Sequence, residues 1–131
     1  MTKPVFDLSL QLDHGETSFE PGGRVSGVAA WSVSAPLSGI ELRLKWTSRG
    51  QGGRDIKIAD TVALPAPLPN EKRSFILTLP EAPFSMQGAL ITVSWELELV
   101  ALPVEEKATV AITIAPGRRP IVLGGAALSH V

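Results

Sequence analysis

The chain has 131 residues, 12 basic and 13 acidic side chains, and no cysteine. This length fits one domain with its own core, and a composition that is 44% hydrophobic and 19% charged excludes an intrinsically disordered chain. The lack of cysteine excludes a disulfide scaffold, a thiolate metal site and a cysteine nucleophile. A formal net charge of −1 gives no electrostatic footprint for nucleic acid or an anionic membrane, so we expect neither as a partner.

Seven segments alternate apolar and polar residues, a period typical of strands with one buried face. The predicted strands cover residues 6–12, 25–33, 40–47, 56–64, 74–79, 91–99 and 109–114. Proline and glycine turns separate them, and apolar residues do not recur at helical spacing. The sequence therefore predicts an all-β fold, an antiparallel immunoglobulin-like β-sandwich of seven to eight strands.

Particular positions within these strands carry further expectations. Trp31, Trp46 and Trp95 fall on the inward phase, so we expect them to anchor the core. Gly27 lies in mid-strand, which favours a bulge or a close approach of the facing sheet. Asp60 falls on the apolar phase, so we expect a bulge or break near it.

Two groups of charged residues lie at outward-facing positions of the predicted strands. Glu41, Arg43 and Lys45 are predicted to form a mixed-sign, solvated outer face. Glu96 and Glu98 lie on the outer phase of their strand, and a carboxylate pair of the glycosidase kind is the alternative for them.

The segment after residue 115 differs from the rest of the chain. Pro116-Gly117-Arg118-Arg119-Pro120 breaks the strand pattern, and a short apolar patch follows it. We therefore divide the chain into a sandwich domain, residues 1–115, and a tail, residues 116–131. The tail is an eighth edge strand that folds back, a frayed end, or a docking peptide for another copy. Its candidate contact residues are Arg118, Arg119, Ile121 and Leu123.

The glycine-rich segment 49–55 is the best candidate for a binding loop. Glycines let backbone N–H groups point into one concavity, and flanking arginines suit a phosphate or carboxylate. The alternative is a mobile hairpin loop in which Arg54 pairs with Asp55 or another acid. The candidate residues of this loop are Arg49, Gly50, Gly52, Gly53, Arg54 and Asp55.

No pattern in the sequence indicates catalysis. His14, beside Asp13 and Glu16, is interpreted as a solvated turn residue rather than a metal ligand, and His130 lies close to residue 131. A G-x-S-x-G elbow is missing. We predict no catalytic residue, no metal site and no cofactor.

Three blocks together resemble the arrestin-like β-sandwich family. The first contains Phe19-Glu20-Pro21-Gly22-Gly23 and the following V-S-G-V-A strand, with Ala29 where the family pattern has valine. The second is residues 40–55, an I-x-L-x-L-x-W strand and a glycine-rich loop. The third is residues 75–99, where F-x-L-x-L-P precedes I-x-V-x-W-x-L and Met86 replaces a phenylalanine of the pattern.

This resemblance implies an adaptor or scaffold that binds proteins without catalysis. Members of the family have two such sandwiches, and we expect only one here, so no functional residue is carried over. The first hypothesis is therefore a non-catalytic protein-interaction module. The alternatives are a structural subunit that self-assembles through its tail, and a small-ligand carrier or enzyme.

The sequence also predicts where the protein resides. Asp7, Ser9 and Gln11 interrupt the first apolar residues, so no leader of signal-peptide length is expected. No apolar run approaches the ~20 residues needed to cross a bilayer. We expect a cytoplasmic protein without membrane insertion, whose partner is another protein or a second copy of itself.

Overall fold

The computed structural model describes residues 3–123, which form ten strands and two short 3-10 turns. The strands are β1 (Phe6–Leu12), β2 (Ser18–Phe19), β3 (Arg24–Val33), β4 (Gly39–Gly50), β5 (Gly53–Leu64), β6 (Asn70–Thr78), β7 (Met86–Gly88), β8 (Ile91–Leu102), β9 (Glu106–Ile114) and β10 (Ile121–Leu123). All seven predicted strands are confirmed, as β1, β3, β4, β5, β6, β8 and β9. The three additional strands have two or three residues each, too few for an alternating pattern to show. No helix within residues 3–123 could cross a membrane.

The strands form two sheets, and the all-β sandwich fold is confirmed. The small sheet has the order β1-β3-β6 and is antiparallel throughout. The large sheet has the order β10-β7-β8-β4-β5, and β9 also pairs with β8. The short β2 pairs with β9, and both the β2–β9 and β10–β7 pairs are parallel. Within the described residues, β5 therefore forms one edge of the large sheet.

The inner faces of the two sheets form the core. Trp31 of the small sheet and Trp95 of the large sheet are 2% and 1% exposed, as predicted. Trp46 is only half-buried, although its ring lies 6.4 Å from that of Trp95 between centroids. The sandwich covers the middle of β4 better than its carboxyl end. Other fully buried side chains include Val25, Ile40, Leu42, Leu44, Leu97, Leu99 and Ile114.

Gly27 lies where two strands approach closely, and they belong to the same sheet. It pairs with Leu12 at the end of β1, and a Cβ atom at Gly27 would overlap the carbonyl oxygen of Gln11. The expectation of a close approach is confirmed, but the prediction that the facing sheet makes it is wrong. The neighbouring strand β1 fills the space that a side chain would need.

A bulge interrupts β5 next to Asp60, as predicted. Leu44 lies opposite Asp60 and Lys45 lies opposite Ile58, so Ala59 is an extra residue with no partner on β4. An extra residue in a strand exchanges the two faces beyond it. Val62 therefore shares the core-side face with Leu42, whereas Ile58 shares the outer face with Lys45.

This exchange of faces corrects one prediction from the sequence. The apolar residues of 56–64 were predicted to lie on one buried face, and this is wrong for Ile56 and Ile58, which point outward and are 52% and 55% exposed. Val62 and Leu64 are partly buried and pack against the core.

The first part of the tail belongs to the large sheet of its own chain. Strand β10 pairs with β7 from Ile121 opposite Met86 to Leu123 opposite Gly88, and the Ile121 N–H donates to the Ser85 carbonyl at 2.9 Å. Of the three predicted outcomes for the tail, residues 121–123 form the extra edge strand. The exposed Arg118 and Arg119 lie in and after the turn that leads into it. Residues 124–131 lie outside the described residues.

Candidate functional site

The segment 49–55 is a tight hairpin rather than a glycine-rich loop. Arg49 lies opposite Arg54 and Gly50 opposite Gly53, so the β4–β5 ladder continues to a two-residue connection, Gln51-Gly52. The prediction of a loop with convergent N–H groups is wrong, because successive residues of a strand direct their N–H groups to opposite edges. Gly53, at φ 126°, has the backbone conformation that glycine tolerates best.

The structure nevertheless brings all six predicted loop residues together. With Ser48 and Ile91, they surround a shallow hollow of about 310 Å³ at the hairpin tip. All six are exposed, so the hollow is a surface feature rather than an enclosed pocket. We call residues 47–58, the hairpin tip with its two flanking strand segments, the arm.

Two like charges face each other near the tip of the arm. Arg49 and Arg54 occupy directly opposite positions on the outer face. Within residues 3–123 neither forms an ion pair, so the predicted pairing of Arg54 with Asp55 is wrong. Like charges at directly opposite positions are unfavourable, and an acidic group brought near them would relieve the repulsion.

The free edge of β5 lies in the longest run of exposed residues within the described part of the chain. Within the described residues β5 pairs only with β4, and residues 53–61 are all exposed. Both faces of this stretch face solvent, so the small sheet does not cover it. An unpaired edge presents N–H and C=O groups that can accept another strand.

The first half of β5 has a distinct side-chain pattern. The outer face carries Arg54, Ile56 and Ile58, and the core-side face carries Asp55 and Lys57, by the register with β4. No ion pair in the described part of the chain includes Asp55 or Lys57. The arm thus combines exposed apolar side chains with charges of both signs that form no ion pair within the described residues.

Charges at the centre of the large sheet form ion pairs instead. On the outer face, Nζ of Lys45 lies 2.8 Å from a carboxylate oxygen of Glu98, and Lys107 approaches the same oxygen at 3.7 Å. The side chain of Glu98 is only 4% exposed. Lys45 donates a hydrogen bond to Glu98, and this bond, together with the nearby charge of Glu96, raises the pKa of Lys45 although burial opposes the shift.

A second ion cluster lies beside the first. Arg43 contacts Glu41 and Glu105, each at 2.8 Å. The hydrogen bond from Arg43 holds the pKa of the Glu105 carboxyl below its usual value. The outer face of mixed sign is present, but the prediction that it is solvated is wrong, since Glu41, Arg43 and Lys45 are partly buried and form ion pairs. Glu98 is held between two lysines, and the network gives it a structural role.

Sequence reasoning missed a clamp at the opposite end of the sandwich. The guanidinium carbon of Arg73 lies 5.8 Å from the centroid of the Trp31 ring, and Arg73 also donates to the Pro65 carbonyl at 2.6 Å. Trp31 Nε1 donates to the Leu68 carbonyl at 2.7 Å, and Glu71 accepts the Leu68 N–H at 2.8 Å. These bonds fix the alternating-proline connection between β5 and β6.

One sequence signal could have revealed this clamp. Glu71 and Arg73 lie on the same inward phase of β6 as Phe75 and Leu77. Opposite charges two residues apart, at strand positions that otherwise carry apolar, core-facing residues, predict an ion pair at the end of the core. The clamp stabilises the sandwich, and two of its residues, Trp31 and Glu71, also line a shallow hollow that is open to solvent.

The remaining polar sites are less organised. A hollow of about 410 Å³ on the outer face of the small sheet is open to solvent and is lined by Asp7, Ser9 and Lys72, among others. Within residues 3–123 no three side chains are grouped as ligands for a metal ion. His14 lies in an exposed turn at φ 58°, and His130 lies outside the described residues.

Comparisons with known proteins add little to this geometry. No family model matches the chain, and no curated protein matches it. Among solved structures it is similar to the Pseudomonas fluorescens alkylpurine DNA glycosylase AlkC bound to DNA containing an abasic site analog, with 9% identity and a TM-score of 0.35. That match covers 85% of this chain and 30% of the glycosylase chain, so this chain spans less than a third of its length. The putative ApaA protein from Bordetella pertussis matches with 8% identity and a TM-score of 0.23, over 87% of this chain and 94% of that one. At these TM-scores neither likeness identifies a family or an activity.

Proposed function

We infer that this chain is a non-catalytic protein-interaction module of the arrestin-like adaptor type, acting in the cytoplasm. Its partner binds along the free edge of β5. One observation carries the proposal: residues 53–61 form a fully exposed edge that also presents Ile56 and Ile58 on its outer face. The resemblance to arrestin-like sandwiches, which implies an adaptor, agrees with this interpretation.

Strand addition fits the chemistry of this edge. The partner's backbone would bond with the unpaired N–H and C=O groups of β5, which supplies affinity independent of sequence. Specificity would come from the side chains of alternate residues. Burying the exposed half of Ile56 and of Ile58 is worth about 1 kcal/mol each.

The charges on the arm restrict which partner can bind. Charged residues and a bulge are ordinary means of protecting an edge strand from unselective pairing, and β5 has both, with Asp55, Lys57 and the extra Ala59. A partner must therefore supply charges complementary to those of Asp55 and Lys57 on the edge.

Site-specific photo-crosslinking in cells that naturally make the protein tests the proposal. A photoreactive residue replaces Ile58 in one variant and Ile76 in a matched control. Ile76 is 67% exposed and lies on the outer face of β6, in the other sheet. We expect a discrete protein adduct from position 58 and none from position 76. The same adducts from both positions, or none from position 58, would contradict the proposal.

A further inference from the structure

We propose that the partner of the β5 edge is the same segment of a second copy of this chain. Residues 54–58 of the two copies pair antiparallel about a two-fold axis that passes between the two Ile56 residues. This inference rests on the proposed function, because it names the protein that binds the same edge.

The local structure of β5 defines the length of this segment. The hairpin turn at Gln51-Gly52 bounds it on one side, and the bulge at Ala59 bounds it on the other. An extra residue disrupts the ladder around it, so regular pairing stops before Ala59. About five residues remain for a continuous antiparallel ladder.

The charges select one register. With Ile56 opposite Ile56, Asp55 of each copy lies opposite Lys57 of the other, which gives two reciprocal ion pairs on the core-side face. Moving the axis by one residue in either direction places Asp55 opposite Asp55 or Lys57 opposite Lys57. Like charges at directly opposite positions are destabilising, and opposite charges are stabilising. Only the register centred on Ile56 satisfies both charges.

The outer face is also self-complementary in this register. The two Ile56 side chains face each other, and Ile58 of each copy lies opposite Arg54 of the other. The four isoleucines then form one apolar patch, and the alkyl stem of each arginine covers its end. Both isoleucines are more than half exposed in the single chain, so the dimer removes this apolar area from water.

The pairing is short, and this sets the expected strength. A five-residue ladder is smaller than an interface of standard size, which buries about 1,600 Å². We therefore expect a weak dimer whose population depends on protein concentration.

A charge-exchange experiment tests the inference. The arm carries two lysines in Asp55→Lys and two aspartates in Lys57→Asp. In either variant, like charges at positions 55 and 57 face each other when two copies pair. We expect each single variant to dimerise about tenfold or more weakly than the original chain. A mixture of the two variants regains dimers, because each lysine then lies opposite an aspartate. The double variant with both changes also regains them. Sedimentation equilibrium between about 1 µM and 1 mM measures the association.

Matched controls separate this pairing from a general charge effect. Asp7→Lys and Lys72→Asp make the same changes on the outer face of the small sheet, where both residues are exposed. We expect neither to alter dimerisation. A chain that ends at Leu123 is expected to dimerise like the full chain.

Each other outcome overturns the inference. These are a monomer throughout the concentration range, single variants that dimerise normally, a mixture that does not recover, and loss of dimers when residues 124–131 are removed. The photo-crosslinking at position 58 distinguishes the two proposals. An adduct with another protein only would support the proposed function while overturning the self-pairing, and the lack of any adduct would contradict both.

Discussion

Ile58 and Val62 lie on opposite faces of the large sheet, although they are four residues apart in one strand. Ile58 is opposite Lys45 on the outer face, and Val62 is opposite Leu42 on the core-side face. The bulge at Ala59 causes the change, because an extra residue shifts the alternation by one position. It turns the apolar residues of the first half of β5 outward, where a partner can reach them.

Threonine substitutions at these two positions test the exchange of faces. Threonine keeps the branched shape that strands favour, but its hydroxyl replaces a methyl group at Val62 and an ethyl group at Ile58. We expect Ile58→Thr to change the free energy of unfolding by less than about 0.5 kcal/mol, because this side chain is solvated. Val62→Thr is expected to cost about 1 kcal/mol or more, because its hydroxyl enters the edge of the core. Urea denaturation measures both, and equal costs would contradict the assigned faces.

Gly27→Ala tests the close approach of β1. The added methyl group would overlap the Gln11 carbonyl and lie 3.0 Å from the Leu12 Cα atom, and neither backbone group can rotate away. We expect a loss of about 2–3 kcal/mol in stability. Gly52→Ala is the control, since a Cβ atom there has no neighbour within 4 Å. Equal melting temperatures for the two variants would contradict the close approach, because they would show that the β1 backbone moves aside without a loss of stability.

Glu98 and Glu96 differ in burial, and glutamine substitutions separate their roles. Glu98→Gln removes the charge that pairs with Lys45 and Lys107 in a nearly buried site, and we expect a loss of about 2 kcal/mol. Glu96 lies 3.8 Å from Lys45 and is 35% exposed, so Glu96→Gln is expected to cost less than about 1 kcal/mol. Chemical denaturation monitored by tryptophan fluorescence gives both values. A larger loss at position 96 would place the important ion pair elsewhere.

The pH dependence of stability tests the clamp at Glu71. Its hydrogen bond from Arg73, followed by that from the Leu68 N–H, holds the pKa of the carboxyl below its ordinary value of 4.5. A carboxyl whose pKa is lowered in the folded state stabilises that state at every pH above the ordinary pKa. This contribution disappears as the pH falls through the folded-state pKa. We expect the stability difference between the original chain and Glu71→Gln to be constant near neutral pH and to shrink below about pH 4.5.

Arg73→Met supplies the control for this titration. It removes the first cause of the lowered pKa, so the original pH dependence should weaken in this background. If Glu71→Gln gives the same stability difference at pH 3 and pH 7, the carboxylate does not stabilise the clamp through its charge.

The seven long strands could be predicted because a half-buried strand records its two faces in the sequence. Phe6, Leu8, Leu10 and Leu12 alternate with polar residues, and β1 begins and ends at the residues predicted. The bulge was also detectable, because Asp60 interrupts an apolar phase. Its consequence was not, since the residue that lacks a partner is defined only by the register with β4.

The candidate site was predicted in its residues but not in its form. The glycines of segment 49–55 are typical of loops, whereas the pairing of Arg49 with Arg54 extends the strands to the tip. The edge position of β5 could not be predicted, because alternation describes the faces of a strand and not its neighbours. The same limitation hid the parallel pairing of β10 with β7, which joins segments more than thirty residues apart.

Hydrogen exchange across a concentration series tests most directly the claim that the β5 edge pairs with the same edge of a second copy. The amides of residues 54–58 are compared with those of β1, an edge strand of the small sheet, in dilute and concentrated protein. We predict that exchange slows with concentration at alternate residues of 54–58, those whose N–H groups point to the free edge, and stays constant in β1. Equal exchange of the β5 amides at all concentrations, with slowing in another segment or in none, would contradict the self-pairing on which the dimer rests.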